Sequence, residues 1–359
     1  MKVGLILPAN ILHAPYLEYY TEVLDYNDIE YNIIYWNKAN ITEKVEKSTS
    51  FDYFCSYNSS NAKKVIGYYL FSKFVINNIK KHKYDKLIVL VPQIAIFLAN
   101  FLKKHYKNNY ILDIRDYSKM NRLAKKYYSV IKNSSFTVIS SEGYKKWLPT
   151  FDRYVISHNV FLKRLQEEEE LNFDLKNKDD IVISNIGSIR HYDENIKVMN
   201  HFKNSERICL RYIGTGICEK DLEKYSQKNK IDNVYFHGRY NRNEEMNFYY
   251  SSDLINLIMP TNDMGPKTLM ANRFYNACIS KRPVIISNNS YMSRLVEEYN
   301  LGLVIDVDAD DLEDKVNRFI ESFDYQTYQL GCKKFLSRVQ IEEEKFENSL
   351  KQFLAIEGS

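Results

Sequence analysis

Ile181-Val182-Ile183-Ser184-Asn185-Ile186-Gly187-Ser188-Ile189-Arg190 is the stretch from which the fold is read. Six residues dominated by β-branched side chains read as a buried strand, and a glycine breaks the run. A helical period follows near 193–203. The unit then repeats, with strands over 208–213, 234–236, 254–258, 284–286 and 303–305. Helices fall near 218–229, 242–250, 268–279, 290–298 and 309–321. Toward the N-terminus the same rhythm is present. Strands read at 3–7, 31–36, 86–91, 110–113 and 136–139, and helices near 15–25, 63–82, 93–106, 117–132 and 142–147. Helices near 325–338 and 342–355 close the chain. Strands alternating with helices predict parallel sheets covered on both faces. A polar, acidic run from Gln166-Glu167-Glu168-Glu169-Glu170 to Asp179-Asp180 separates the two series and reads as a connection. The expected domains are therefore 1–160, a linker 161–180, 181–330 and C-terminal helices 331–356. Residues 357–359, Glu-Gly-Ser, read as a cloning remnant.

The chain has 359 residues, 45% hydrophobic and 27% charged, enough to bury a large core in two domains and too apolar for disorder. Cys55, Cys209, Cys218, Cys278 and Cys332 are odd in number and never spaced C-x-x-C. This argues against a disulfide framework or zinc site and for a reducing, cytoplasmic setting. No signal peptide is read at Met1-Lys2. The most apolar stretch, 87–102, is broken by Pro92-Gln93 and Asn100, and is shorter than the ~20 residues of a spanning helix.

The net charge of +4 hides an asymmetry. Residues 1–160 hold 23 Lys and Arg against 13 Asp and Glu, and residues 60–135 hold 16 against three (Asp85, Asp113, Asp116). Such a field attracts anions: a membrane surface, a lipid pyrophosphate or nucleic acid. Between Lys63 and Lys83, Val65, Ile66, Tyr69, Leu70, Phe74 and Val75 interleave with Lys63, Lys64, Lys73, Lys80 and Lys81. A basic helix with aromatic bulk fits a membrane interface. An ordinary helix packed on a sheet, lysines toward water, fits equally. No recognised nucleic-acid module is present, so no nucleic-acid partner is expected.

Loops at strand ends are where ligands of such folds sit. The first strand ends Leu7-Pro8-Ala9-Asn10, so the G-x-G-x-x-G dinucleotide fingerprint is absent, as are P-loop and metalloprotease motifs. In the second half, Gly187 and Ser188 let backbone approach a phosphate that Arg190 can fork onto. Ile213-Gly214-Thr215-Gly216 and Val234-Tyr235-Phe236-His237-Gly238-Arg239-Tyr240 end the next two strands. Asp306-Val307-Asp308-Ala309-Asp310 has a D-x-D spacing, but it precedes a helix, where Asp308 or Asp310 reads as an N-cap; no metal is expected.

In this order the motifs resemble the C-terminal half of GT-B glycosyltransferases, especially the retaining group 4-like transferases of bacterial capsule and exopolysaccharide synthesis. Those carry a G-x-x-R loop, I-G-x-G, V-x-F-x-G, a tyrosine-rich helix, a nucleotide-binding helix and R-P-V-I. Here they correspond to Gly187 to Arg190, Ile213 to Gly216, Val234 to Gly238, Phe248-Tyr249-Tyr250, Asn272-Arg273-Phe274-Tyr275-Asn276 and Arg282-Pro283-Val284-Ile285. The resemblance implies an α/β GT-B fold, two Rossmann-like parallel-sheet domains facing a cleft, with C-terminal helices crossing back to the N-terminal domain. It implies donor binding by Gly187, Ser188, Arg190, Gly214, Gly216, Gly238, Arg239, Tyr240, Lys267, Asn272, Arg273, Phe274 and Asn276. Relatives carry Glu, seven residues, Glu before R-P-V-I, the second on the donor ribose. Thr268 and Asn276 stand at those registers here. Lys267 and Arg273 flank a helix start whose partial positive charge adds to theirs against a diphosphate.

In the first half, His13 follows strand one in Ile11-Leu12-His13-Ala14-Pro15-Tyr16, and Asp113-Ile114-Arg115-Asp116-Tyr117 ends another strand. His13 and Asp116 are the catalytic candidates, as base or hydrogen-bond partner of an acceptor hydroxyl. Against those roles stand a structural histidine and a helix-capping aspartate. Gln93 and Arg115 are expected near the acceptor, and Lys73, Lys80 and Lys81 on a membrane. The expected activity is metal-independent hexosyl transfer from a nucleotide-sugar to a glycan acceptor linked to polyprenyl pyrophosphate, at the inner membrane face. No cofactor is expected beyond the donor. A nucleotide-sugar isomerase and an inactive scaffold are the alternatives.

Overall fold

Residues 1–56, 58–118, 123–160 and 173–356 are described by the computed structural model of the chain. They divide into two units, Met1–Asn159 with Ile341–Ser359, and Val160–Gln340. The first unit is built on β1 (Lys2–Leu7), β2 (Glu30–Asn37), β3 (Ser48–Asp52), β4 (Lys86–Leu90), β5 (Tyr110–Ile114), β6 (Thr137–Ile139) and β7 (Tyr154–Ile156), in the order β3-β2-β1-β4-β5-β6-β7. Every pair is parallel. Helices α1 (Glu18–Tyr26), α2 (Asn61–His82), α3 (Pro92–His105) and α4 (Ala124–Lys132) connect them. Near-continuous apolar runs such as Leu87 to Leu90 are what a strand covered on both faces requires. Val3, Leu5, Ile33, Ile88, Ile111 and Val138 form the core, and each contributes about 1.5–3 kcal/mol by burial.

The second unit repeats the plan with β8 (Ile181–Ile186), β9 (Ile208–Ile213), β10 (Val234–Gly238), β11 (Leu254–Leu257), β12 (Val284–Ser287) and β13 (Gly302–Ile305). The order is β10-β9-β8-β11-β12-β13, again all parallel. Its helices are α5 (Tyr192–Phe202), α6 (Glu219–Lys228), α7 (Glu245–Tyr250), α8 (Met264–Thr268), α9 (Asn272–Ile279), α10 (Tyr291–Tyr299), α11 (Leu312–Ser322) and α12 (Tyr325–Phe353). In both sheets the strand order reverses once, between β1 and β4 and between β8 and β11. Each reversal opens a crevice at the strands' carboxyl ends.

Several expectations are corrected. β3 and β7 are strands that no apolar run announced. The helix expected from 117 starts, among the described residues, at Ala124 with Leu123 as its N-cap, so Asp116 is not the N-cap of that helix. The helix expected over 268–279 is two, α8 and α9, because residues 269–271 are not helical. Asp311, not Asp308 or Asp310, caps α11, accepting from the Asp314 N–H at 3.1 Å. The two C-terminal helices are one, α12. Tyr328, Cys332, Phe335 and Val339 belong to the core of the second unit, and Phe346, Leu350 and Phe353 to that of the first. Gly331 lets this helix close on α10, since a Cβ there would lie 1.8 Å from the Tyr299 carbonyl oxygen. The acidic residues 166–170 and the terminal 357–359 lie outside the described residues.

Candidate functional site

In the second unit, the carboxyl ends of β8, β9 and β10 are tied by main-chain bonds. Gly187 N–H donates to Ile213 O (2.8 Å), and Gly214 N–H to Gly238 O (2.9 Å). Gly187, Gly214 and Gly238 have φ of 99°, 123° and 76°, which favour glycine. A Cβ on Gly214 would lie 2.0 Å from Gly187 O, and one on Gly216 2.0 Å from Ile189 O. Gly214 and Gly216 therefore serve loop-to-loop packing. Nothing lies within 4 Å of the Gly238 position, and the Tyr240 hydroxyl overhangs Gly187.

Arg273 crosses the reversal point. From the second position of α9 its Nη1 donates to Asn185 Oδ1 of β8 and to the Asn256 carbonyl of β11, the latter at 3.1 Å. Burial lowers its pKa, the Tyr249 and Tyr240 hydroxyls act the other way, and Arg190 lowers it further. Arg190 is exposed, its Nε bonded to Ser188 Oγ at 3.0 Å. Lys267 sits on α8, half-buried. None of these three cations has a carboxylate partner among the described residues. His191, φ 65°, holds the N-cap of α5. Its pKa is lowered by burial, with Arg273 and Arg190 adding to the effect against Glu194 and Asp263. The arrangement is a patch of positive charge and backbone donors that suits a diphosphate.

Asn276, one turn along α9, donates from Nδ2 to Glu245 Oε1 of α7 at 3.1 Å. Burial raises the Glu245 pKa. A carboxylate therefore stands beside Asn276 although α9 itself carries no acidic residue. Neither Glu245 nor His191 was singled out by sequence, because no spacing along the chain links α7 to α9. Asn185 carried a signal, one of two adjacent polar residues, with Ser184, in an apolar strand. Thr268 is buried, bonded to Met264 O of its own helix at 2.6 Å. Phe274, expected at the donor, is fully buried and packs edge-on to Phe335 at 5.2 Å, so it belongs to the core. Asn272 and Arg239 are exposed.

In the first unit, His13 ends an exposed 3-10 turn after β1, and Asp116 is exposed beyond β5. Arg115, expected to meet acceptor or membrane, is buried. Its Nε lies 2.8 Å from Asp113 Oδ1, and Nη1 donates to Ser157 O (2.9 Å) and Asn159 Oδ1 (3.1 Å). The Tyr16 and Tyr19 rings cover it at 5.1 and 5.5 Å. Tyr20 Oη donates to Asp113 Oδ2 at 2.6 Å. Burial opposes the Arg115 charge, and Asp113 overcomes this, holding the pKa above its ordinary value. This network is structural. Gln93 opens α3, with Oε1 buried and without a protein partner. Lys73, Lys80 and Lys81 are exposed on α2 beside Val65, Ile66, Tyr69 and Leu70, which also face solvent. A cavity of about 730 Å³ lies elsewhere in this unit, between β7, Glu142, Lys145 and the α12 residues Glu342 and Lys345, and includes none of the expected site residues. Among the described residues no His, Cys, Asp or Glu cluster is arranged to hold a metal, and no helix is long and apolar enough to cross a membrane.

Residues 166–328 match the family model of Glycosyl transferases group 1. No curated protein sequence matches the chain. Among solved structures, the sucrose-phosphate synthase of Thermosynechococcus elongatus is similar at TM-score 0.71 and 12% identity over 99% of each chain. The lipopolysaccharide outer core galactosyltransferase WaaB, in its apo form, has TM-score 0.65 at 13% identity over 98% of this chain and 99% of its own. HepE of Anabaena, in complex with UDP and glucose, has TM-score 0.64 at 13% identity over 99% and 98%. At these identities the likeness is one of fold. Most of the second unit thus matches the group 1 glycosyl transferase model, within a chain whose two parallel-sheet units have the α/β GT-B fold.

Proposed function

We propose that the chain is a glycosyltransferase whose second unit binds the diphosphate of a nucleotide-sugar through Arg190, Lys267, Arg273 and the loops at Gly187 and Gly238. The observation that carries this reading is Arg273, a partly buried cation without a carboxylate, placed across the reversal of strand order. In the transfer, the bond from the anomeric carbon to the diphosphate oxygen breaks as the acceptor oxygen forms its own. The acceptor proton passes to His13 or Asp116, and the nucleoside diphosphate leaves with the bonding electrons. The three cations stabilise the charge that develops on that leaving group, so this step draws on no metal. Asn276 and Glu245 take the donor ribose hydroxyls. UDP-sugars are the first donors to test, since HepE was solved with UDP.

The acceptor in this reading is a glycan on a polyprenyl pyrophosphate, a role in surface polysaccharide synthesis at the inner membrane face. What supports the membrane side is α2, where Val65, Ile66 and Tyr69 are each about half exposed beside Lys73, Lys80 and Lys81. Apolar groups in the leaflet boundary with lysines at anionic headgroups match that surface. A thermal-shift screen across nucleoside diphosphates and their sugars tests the donor site. Ligand at 100 times its Kd adds about 2.7 kcal/mol. Transfer to lipid-linked glycan then separates a transferase from an isomerase, which would rearrange the donor alone. Absence of any shift at millimolar ligand overturns the donor reading and leaves a scaffold.

A further inference from the structure

Lys38 follows β2 directly, at the carboxyl end of the first sheet. Its backbone is fixed from both sides: its N–H donates to Trp36 O at 3.0 Å, and its carbonyl accepts from Cys55 N–H at 3.1 Å. The next residue, Ala39, donates its N–H to Asn10 Oδ1 at 2.9 Å, in the loop after β1. The Lys38 ammonium stands 4.3 Å from the centre of the Trp36 ring and 4.8 Å from that of Tyr68. Among the described residues the ammonium makes one hydrogen bond, a long one, 3.5 Å to Tyr68 Oη.

The cage is rigid. Gly67 of α2 has no Cβ, and one placed there would lie 2.3 Å from the Trp36 ring. Trp36 Nε1 donates to Tyr53 O at 2.7 Å, which fixes the indole plane. Tyr68 stacks on Phe97 of α3 at 5.8 Å. Among the described residues no carboxylate pairs with Lys38. An ammonium has three donors, so two remain without a protein acceptor. Ring faces replace only part of the hydration lost on burial. Burial pushes the Lys38 pKa down to about 8, with Cys55 raising it and Lys64 lowering it. Lys64 supplies a second positive charge nearby, and Lys63 lies over the half-exposed Phe54 ring at 5.1 Å. A cation between aromatic walls, with open donors and a like charge beside it, is completed by a dianion with an apolar body.

We propose that Lys38, walled by Trp36 and Tyr68, is a binding site for a phosphate group borne on an apolar or ring-containing ligand. The phosphate takes the open donors and the body lies along the rings. That this ligand is the acceptor's phosphate rests on the glycosyltransferase reading; the site itself rests on the Lys38 geometry. The same chemistry is offered by a soluble phosphate ester and by a lipid headgroup.

Trp36 is the built-in reporter, since the chain has two tryptophans and Trp147→Phe leaves it alone. In that background, phenyl phosphate is expected to change Trp36 emission saturably, and phenol is not. Lys38→Met should weaken the response at least tenfold, while Lys38→Arg stays within about threefold, each variant keeping the parent melting temperature. Phosphatidic acid in phosphatidylcholine vesicles is the second probe. A Lys38-dependent response to phenyl phosphate supports a soluble ligand, and one to vesicles alone supports a lipid. A response to neither, or one that Lys38→Met leaves intact, overturns the site. Nucleoside diphosphate shifts should be the same in Lys38→Met as in the parent. If those shifts are absent from the parent while phenyl phosphate binds, the donor reading fails and this site stands.

Discussion

Arg115 follows β5 and Arg273 reaches β8 and β11 from α9, one cation in each unit; Arg115 is buried and Arg273 partly so. Arg115 meets Asp113, Ser157, Asn159 and two tyrosine rings. Arg273 meets an amide oxygen and one carbonyl, and Arg190, a like charge, adds to burial in lowering its pKa. Burying a charge is tolerable only when something answers it. Where the fold supplies the answer, the residue is part of the scaffold. Where it does not, the proposed function leaves the answer to a ligand. Sequence position alone ranked the two arginines alike.

The sharpest way to break this contrast is to remove the answering group. Asp113→Ala leaves Arg115 buried and unpaired, and is expected to destabilise the first unit by about 3–5 kcal/mol, read by chemical denaturation. A loss below ~1 kcal/mol would mean that Arg115 is answered by something else. Arg273→Met should do the reverse. Stability without ligand should change by less than ~1 kcal/mol, because an unanswered charge is removed. The thermal shift with nucleoside diphosphate should vanish, a loss of up to about 2.7 kcal/mol at 100 times Kd, while nucleoside binding persists.

Glu343 sharpens the same comparison through pH. It lies on α12 and accepts a bond from the His158 N–H, and burial raises its pKa from 4.5 to about 7 against Arg115, Ser157 and that bond, with Glu342 adding to the rise. With the folded value above the unfolded one, its stabilising share is complete below pH 4.5 and lost as pH rises through 7. Glu343→Gln should therefore exceed the parent in stability at pH 8 by up to about 3 kcal/mol, and match it near pH 4.5. Equal melting curves at both pH values would place the carboxyl in water. The smallest effect tests whether the second unit registers loss of a structural carboxylate at all. Asp311→Ala, which removes the α11 cap, should cost about 1 kcal/mol, and Asp308→Ala, whose exposed partner is Lys197, less than half of that.

Strand and helix alternation was legible because strands buried on both faces must be apolar along their length. β3, Ser48-Thr49-Ser50-Phe51-Asp52, was not, since an edge strand with polar residues has no such signature. β7 is three residues long and too short for any period to register. Gly187 and Gly238 were visible as breaks at strand ends, and Arg190, Lys267 and Arg273 as cations around them. The Glu245–Asn276 pair was not visible, because it forms between helices separated by β11. Phe274 misled for a related reason. On a short helix, one residue apart is enough to turn from the crevice to the core, and the motif string does not say which residue turns.

The first unit is not a continuous stretch of chain. Tyr20 packs edge-on to Phe346 at 5.5 Å, and Phe136 to Phe353 at 6.2 Å, so its core closes with residues made more than two hundred positions later. Domains ordinarily fold in the order in which they are synthesised. Here the order inverts. The second unit, contiguous from Val160 to Gln340, has all its residues before the last turns of α12 exist. Until then the Tyr20 and Phe136 rings lack their α12 partners, and the apolar face that carries them stays open on the nascent chain for the whole synthesis of the second unit.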